Sequence, residues 1–215
     1  MTSASRIVVV SPHSDDGVLS LGASMARWAR EGRDVELLTV LALDPGSSAP
    51  TRGWDRRAGF ATEGEAARAR REEDRVACAR LGVTPRWLPF GSVDFERHAD
   101  DVGVWGAVRE VVRGAGVVLV PGSPLSHPDH AWLNGLLARR APSGALGLYA
   151  EQPYTLRTHG APFISVTLSL RDRVAKWRAV RAYGSQLPLL GMRGSLRRGA
   201  LRLALADERI AWPGH

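Results

Sequence analysis

The chain opens, after a short polar lead, on Ile7-Val8-Val9-Val10, an unbroken β-branched run suited to a strand buried on both faces. Apolar or small residues then recur at helical spacing, through Val18, Leu21, Gly22, Met25, Trp28 and Ala29, and Gly32 supplies the stop. Val35 to Leu41 reads as a second buried strand. Strand, helix and strand make a βαβ unit, whose crossover is right-handed.

The alternation continues downstream. Glu65 to Leu81 predicts a charged helix closed by Gly82, Arg86 to Pro89 a short strand, and Asp101 to Arg113 a helix. Val117 to Val120 is the next strand, stopped by Pro121-Gly122-Ser123-Pro124. His130 to Arg140 follows as a helix, Leu146 to Ala150 as a strand, Phe163 to Leu170 as a more exposed strand, and Arg171 to Tyr183 as a helix. Residues 44–64, rich in Gly, Pro, Ser, Thr and Arg, predict a long loop with Trp54 and Phe60 at the mouth of a pocket. Past Leu187, Leu196, Leu201, Leu203 and Leu205 interleave with Arg197, Arg198 and Arg202, the pattern of an amphipathic helix packed on the domain. The fold class this implies is α/β: a single domain with a Rossmann-like, doubly wound, mostly parallel sheet flanked by helices. Residues 1–186 are expected to form its body and 187–215 an Arg-rich C-terminal extension packed on it.

Composition changes this picture at one point. The 215 residues are 44% apolar and 24% charged, an ordinary globular balance, but the net charge is +7. The excess falls entirely in residues 171–215, where nine arginines and Lys176 face only Asp172, Asp207 and Glu208. Basic residues that grip nucleic acid are interleaved with stacking aromatics. Trp177, Tyr183 and Trp212 show no such alternation, so no nucleic-acid partner is expected. The charge reads instead as a field that steers an acidic or phosphorylated small-molecule substrate. The lone Cys78 excludes an intramolecular disulfide and a cysteine-built zinc site, and fits a reducing compartment. No apolar run approaches the ~20 residues of a membrane span, and the first residues lack a signal-peptide pattern. The expected setting is cytoplasmic.

Ligands in such sheets bind at the carboxyl ends of the strands. Two polar clusters stand there: Ser11-Pro12-His13-Ser14-Asp15-Asp16 after the first strand, and Ser126-His127-Pro128-Asp129-His130 after the Val117 strand. Alone, an Asp pair after a strand is usually a helix cap and a His-Pro-Asp a turn. Together, at the ends of neighbouring strands, they make a metal site. Catalytic zinc takes about three His or carboxylate ligands and keeps one position open. His13, Asp16 and His130 can supply that set, and the same set admits Fe2+, Co2+ or Ni2+. Asp15 remains as a general base, His127 can act charged beside the ion, and Asp129 can hold the His127 tautomer.

A buried strand ending in Pro12-His13-Ser14-Asp15-Asp16, with a later His127-Pro128-Asp129-His130, resembles the PIG-L/LmbE-like zinc-dependent N-deacetylases. Arg70-Arg71-Glu72-Glu73 before Leu81-Gly82, the Phe90 to Asp94 loop, and Lys176 with Tyr183-Gly184-Ser185-Gln186 extend the likeness over roughly residues 5–187. The resemblance implies a hydrolase that removes an acyl group from an N-acylated amino sugar or glycosylated metabolite. It implies His13, Asp16 and His130 as metal ligands, Asp15 as base with His127 and Asp129 as its partners, and Arg70 and Asp94 on substrate hydroxyls. Gly17 follows the Asp pair where many members carry Glu, and Leu125 stands where some carry a Tyr that assists the oxyanion. A metal-dependent enzyme of another reaction class on the same scaffold, such as a dehydrating cyclisation, is the alternative.

Overall fold

The computed structural model describes residues 6–92, 100–140, 144–154, 163–191 and 196–212, and the side chains of these except 196 and 197. Among the described residues seven strands form one sheet. They are β1 (Ile7–Ser11), β2 (Val35–Thr39), β3 (Thr84–Trp87), β4 (Val117–Ser123), β5 (Ala145–Ala150), β6 (Ile164–Ser165) and β7 (Arg209–Ala211). Their spatial order is β3-β2-β1-β4-β5-β7-β6. The first five run parallel in the Rossmann order, and β7 pairs antiparallel with both β5 and β6. The chain is thus a single mixed α/β domain.

The helices are α1 (Asp16–Arg30), α2 (Gly53–Arg57), α3 (Glu63–Leu81), α4 (Asp101–Val112), α5 (Pro128–Ala138), α6 (Leu170–Val180) and α7 (Leu196–Leu205). Val9, Leu37 and Leu119 point to one face of the sheet and pack with residues of α1, α3, α6 and α7. Val8, Val10, Leu38, Val118 and Val120 point to the other, against α4 and α5. Two buried faces explain why the strands read as continuous apolar runs rather than alternations. No described helix is long and apolar enough to cross a membrane.

Several boundaries differ from the sequence reading, each for a physical reason. β4 continues through Pro121 to Ser123, because its ladder with β5 shifts register between Pro121 and Ser123 and so accommodates a residue without N–H. β3 begins at Thr84 and contains Pro85, tolerated because β3 is an edge strand. Thr62 caps α3 by accepting from the Glu65 amide, which starts that helix at Glu63. The loop of residues 44–64 holds the short helix α2 and is pinned by a bridge between Pro50 and Thr62. Of the exposed strand expected over 163–170, only Ile164–Ser165 pairs, since Ser169 and Asp172 form a capping box that starts α6 at Leu170.

Helix α1 is broken at Leu21 (φ −128°, ψ 17°). The amides of Ala23 and Ser24, where the second half starts, donate to the Glu208 carboxylate at 2.9 and 2.7 Å. Lys176 Nζ completes the cluster at 2.8 Å from Glu208, with both side chains fully buried. Gly22 permits this approach, since a Cβ there would stand 3.0 Å from Lys176 Cγ. The only lysine of the chain is therefore structural and inside.

Candidate metal centre and active site

The parallel order reverses direction between β1 and β4, and the crevice beyond their carboxyl ends is where this architecture places ligands. Both polar clusters arrive there. After β1, Ser11 Oγ donates to the His13 carbonyl (2.7 Å) and accepts from the Gly17 amide (2.9 Å), tying the loop to the first turn of α1. Gly17 is closely packed: a Cβ would stand 2.5 Å from Leu37 Cδ1 and 3.3 Å from Ser11 Oγ, so the Leu37 side chain would have to shift to admit one. Asp15 is held at φ 95°, a conformation rare for a residue with a side chain, and its carboxylate makes no capping hydrogen bond. The cap reading of the Asp pair therefore fails for Asp15, whose side chain lines a cavity of about 310 Å³ instead.

His13 Nδ1, Asp16 Oδ2 and His130 Nε2 form a triangle with sides of 3.1, 3.1 and 3.3 Å. Ligand atoms bound to one tetrahedral zinc at 2.0–2.1 Å stand about 3.3 Å apart, so these three atoms have the spacing of a metal-binding face. The outward-facing nitrogens of the two imidazoles are held just as specifically. His13 Nε2 lies 3.0 Å from Asp129 Oδ2, and His130 Nδ1 makes a short contact with Glu151 Oε1. Each imidazole thus has one nitrogen on the triangle and the other on a buried carboxylate, the usual arrangement behind a metal. A nitrogen of His127 joins those of His13 and His130 in a looser group within 4.8 Å.

Asp129 Oδ2 stands between two imidazoles, 3.0 Å from His13 Nε2 and 3.7 Å from His127 Nδ1, so its nearer partner is His13 while the expected His127 stays within ion-pair distance. His127 is the N-cap of α5, and its Nδ1 accepts the Asp129 amide at 3.2 Å. That contact leaves Nε2 as the protonated nitrogen of the neutral ring. Burial, then the neighbouring His13 and His130, lower the His127 pKa, so the ring rests neutral rather than charged.

The adjacent carboxylates are driven apart. Burial and the charge of Asp16 push Asp15 well above the usual carboxylate range, against the opposing pull of Arg70 and His13. Asp16, although also buried, is held far below it by His130 and His13. Such a split marks one group that stays ionised and one able to carry a proton. His13 is pushed up to about 9: burial lowers it, and hydrogen bonds to Asp129 and Asp16 more than compensate.

Sequence reasoning missed three contributors. Glu151 follows β5 directly and holds His130, while its Oε2 accepts from the Leu125 amide at 2.9 Å. The signal was its position, a carboxylate at the carboxyl end of a strand, as with Asp15 and Asp16. Asp55 of α2, almost fully buried, pairs closely with Arg70 in the cavity wall, so that guanidinium does not stand alone before a substrate. Tyr154 lines the cavity and meets the His130 ring edge-on at 6.2 Å. Asp94 lies outside the described residues. The C-terminal motif around Tyr183 serves as a clasp: Tyr183 donates to Asp74 (2.8 Å), Ser185 Oγ to Glu73 (2.7 Å), and Gln186 accepts from the Trp54 indole (2.8 Å).

A family model described as PIG-L: GlcNAc-PI de-N-acetylase matches residues 8–140, which include both histidine clusters. The chain belongs to this family. It is 32% identical to the 2'-N-acetylparomamine deacetylase of Streptomyces fradiae, over 92% of this chain and 80% of that one. It is 29% identical to the 1D-myo-inositol 2-acetamido-2-deoxy-alpha-D-glucopyranoside deacetylase of Streptomyces avermitilis, over 96% of this chain and 69% of that one. Among solved structures it resembles the A40926 pseudoaglycone deacetylase, with a TM-score of 0.77 and 27% identity over 98% of this chain and 97% of that one. The PIG-L match stops at residue 140, so Glu151, Tyr154 and the clasp lie beyond it.

Proposed function

We propose that this PIG-L chain is a metal-dependent amide hydrolase that removes the acetyl group from an N-acetylated amino sugar. The observation that carries the reading is the 3.1–3.3 Å triangle of His13, Asp16 and His130 at the floor of the cavity. Membership of the PIG-L family and the acetamido-sugar relatives support the substrate class. Two imidazoles and a carboxylate suit Zn2+, and equally Fe2+, Co2+ or Ni2+. When bound, such an ion supplies Lewis acidity to the amide carbonyl and acidifies water.

The remaining work falls to side chains of this chain. Asp15, with its raised pKa, takes the proton of the attacking water as the new C–O bond forms, and returns it to the amine nitrogen as the C–N bond breaks. Asp16 stays ionised throughout. The neutral His127 presents Nε2–H to the cavity, while Asp129 and Glu151 fix the orientation of His13 and His130. Arg70, braced by Asp55, lowers the cost of charging Asp15; contact of Arg70 and of Asp94 with sugar hydroxyls is part of the same proposal. A cytoplasmic setting accompanies this reading, supported by the buried thiol of Cys78.

The test is release of acetate from 2'-N-acetylparomamine and from 1D-myo-inositol 2-acetamido-2-deoxy-alpha-D-glucopyranoside. Turnover of at least one is expected, abolished by a chelator and restored by Zn2+ or Co2+. Absence of chelator-sensitive turnover on both sugars refutes the assignment.

A further inference from the structure

Amide hydrolysis places negative charge on the former carbonyl oxygen, and the rate depends on donors already aimed at that oxygen. Most donors around the cavity are committed. Both nitrogens of His13 and of His130 face carboxylates, one Arg70 nitrogen pairs with Asp55, and the Trp54 indole N–H is given to Gln186. The Gln186 amide in turn donates to Ser185 Oγ at 2.6 Å. One hydroxyl on the histidine side of the cavity is not so committed. We propose that Tyr154 is a catalytic residue of the hydrolysis, its phenol donating a hydrogen bond to the oxyanion of the tetrahedral intermediate.

Three observations carry this, and the inference rests on the deacetylase reading. First, Tyr154 lies just past the carboxyl end of β5, the edge that already delivers Glu151 to His130. A third strand thus feeds the same crevice as β1 and β4. Second, its half-buried ring stands edge-on to His130, centroids 6.2 Å apart at 77°, and it lines the cavity with His13, Asp15, Asp16, His127 and His130. Third, its hydroxyl has no hydrogen-bond partner among the described residues, and burial first, then the nearby acidic groups, keep the phenol protonated. A phenol is protonated at neutral pH, so it enters the site as a donor. Packing alone would be served by phenylalanine.

The step balances without proton transfer from the phenol. Water oxygen bonds to the acyl carbon, the carbonyl π pair moves onto oxygen, and the Tyr154 O–H and His127 Nε2–H bracket that charge. The pair then re-forms the carbonyl as the C–N bond breaks, and the amine leaves with the proton relayed by Asp15.

The decisive comparison is between the metal-loaded wild type and Tyr154→Phe, with bound metal and Tm measured to confirm an intact fold. The probe is the methylphosphonamidate of glucosamine, a tetrahedral anionic mimic, with acetate as its planar counterpart. Titration calorimetry should show the mimic bound about 10–100-fold more weakly by Tyr154→Phe, with acetate affinity unchanged. On any acetylated sugar the wild type hydrolyses, kcat should fall by about 10²–10³ with KM unchanged, the loss typical of one oxyanion donor. Equal affinity of the two proteins for the mimic, including no binding by either, overturns the role of Tyr154. Absence of turnover by the wild type counts instead against the deacetylase reading, so the two failures are distinguishable.

Discussion

Two buried polar clusters are built against the same helix and behave in opposite ways. At the N-terminus of α1, Asp15, Asp16, His13 and His130 crowd together, with Asp15 in a left-handed backbone conformation and its carboxylate aimed into a cavity. At the break in α1, Glu208, Lys176, Ala23 and Ser24 are just as polar and more deeply buried, yet each charge meets a partner. The front cluster holds its like charges together and faces open space. The rear cluster closes on itself. Residue type does not separate a site from a strut; closure of the hydrogen bonds does.

Removing the unclosed group is the sharpest way to break this comparison. Asp15→Gly should lower kcat by about 10²–10⁴-fold, the range of a lost general base, or roughly 3–5 kcal/mol at 1.36 kcal/mol per tenfold. The same substitution should raise Tm, because it relieves about 1–3 kcal/mol of backbone strain and removes a buried carboxylate, against about 0.5–1 kcal/mol of glycine entropy. A dead and destabilised Asp15→Gly would show that the front cluster is a strut after all.

The converse change belongs at the rear. Lys176→Met leaves Glu208 buried without its cation and should cost about 3–5 kcal/mol, read as about 2–4 °C in Tm per kcal/mol. Adding Glu208→Gln should restore part of the loss, since the glutamine oxygen still accepts an amide of the α1 break. The folded fraction of Lys176→Met should keep its metal and the wild-type kcat. A kcat loss at temperatures where the variant is fully folded would join the two clusters into one functional unit.

This contrast explains what the sequence disclosed. The buried strands, the βαβ start and the two histidine clusters were legible because strand ends are where this topology concentrates ligands, and because His13, Asp16 and His130 are local in sequence to those ends. Lys176 and Tyr183 were visible as a motif, but their partners Glu208 and Asp74 lie 32 and 109 residues away and no local pattern connects them. Asp55 was hidden inside a Gly- and Pro-rich stretch whose short helix is stabilised from outside, by the Arg70 pair and the Trp54 bond to Gln186. The basic tail was legible as charge but not as structure. Arg173 reaches the Leu205 and Ala206 carbonyls at 2.7 and 3.1 Å, at the end of α7, so this tail arginine secures a helix terminus. Three residues beyond α7, β7 enters the sheet between β5 and β6.

The partner of Asp129 supplies a finer test. If Asp129 serves His13, as the 3.0 Å contact indicates, Asp129→Asn should weaken metal affinity or activity by about 10–100-fold, the usual cost of losing a carboxylate behind a metal-binding histidine. Chelator competition measures the affinity directly. Unchanged metal affinity together with a displaced pH profile would return Asp129 to His127.

The smallest expected effect lies at the far end of α1, where polarity is again closed but nearer to solvent. Arg30 Nη2 stands 2.8 Å from Asp172 Oδ1, and Asp172 Oδ2 accepts from the Ser169 amide and hydroxyl at 2.9 and 2.6 Å, fixing the start of α6 against α1. Burial alone would raise the Asp172 pKa, but Ser169 and Arg30 hold it below the ordinary carboxylate value. A folded pKa below the unfolded one gives stability that is complete above the unfolded value of about 3.9 and is lost as pH falls through the folded value. Asp172→Asn should therefore cost about 1 kcal/mol at pH 7, as for a lost helix cap. The gap between the variant and wild type in urea denaturation should narrow as pH is lowered past 4 toward 2. A pH-independent gap would show that Asp172 acts there by packing rather than by charge, and the ranking of the three contacts along α1 by electrostatic closure would fail at its weakest member.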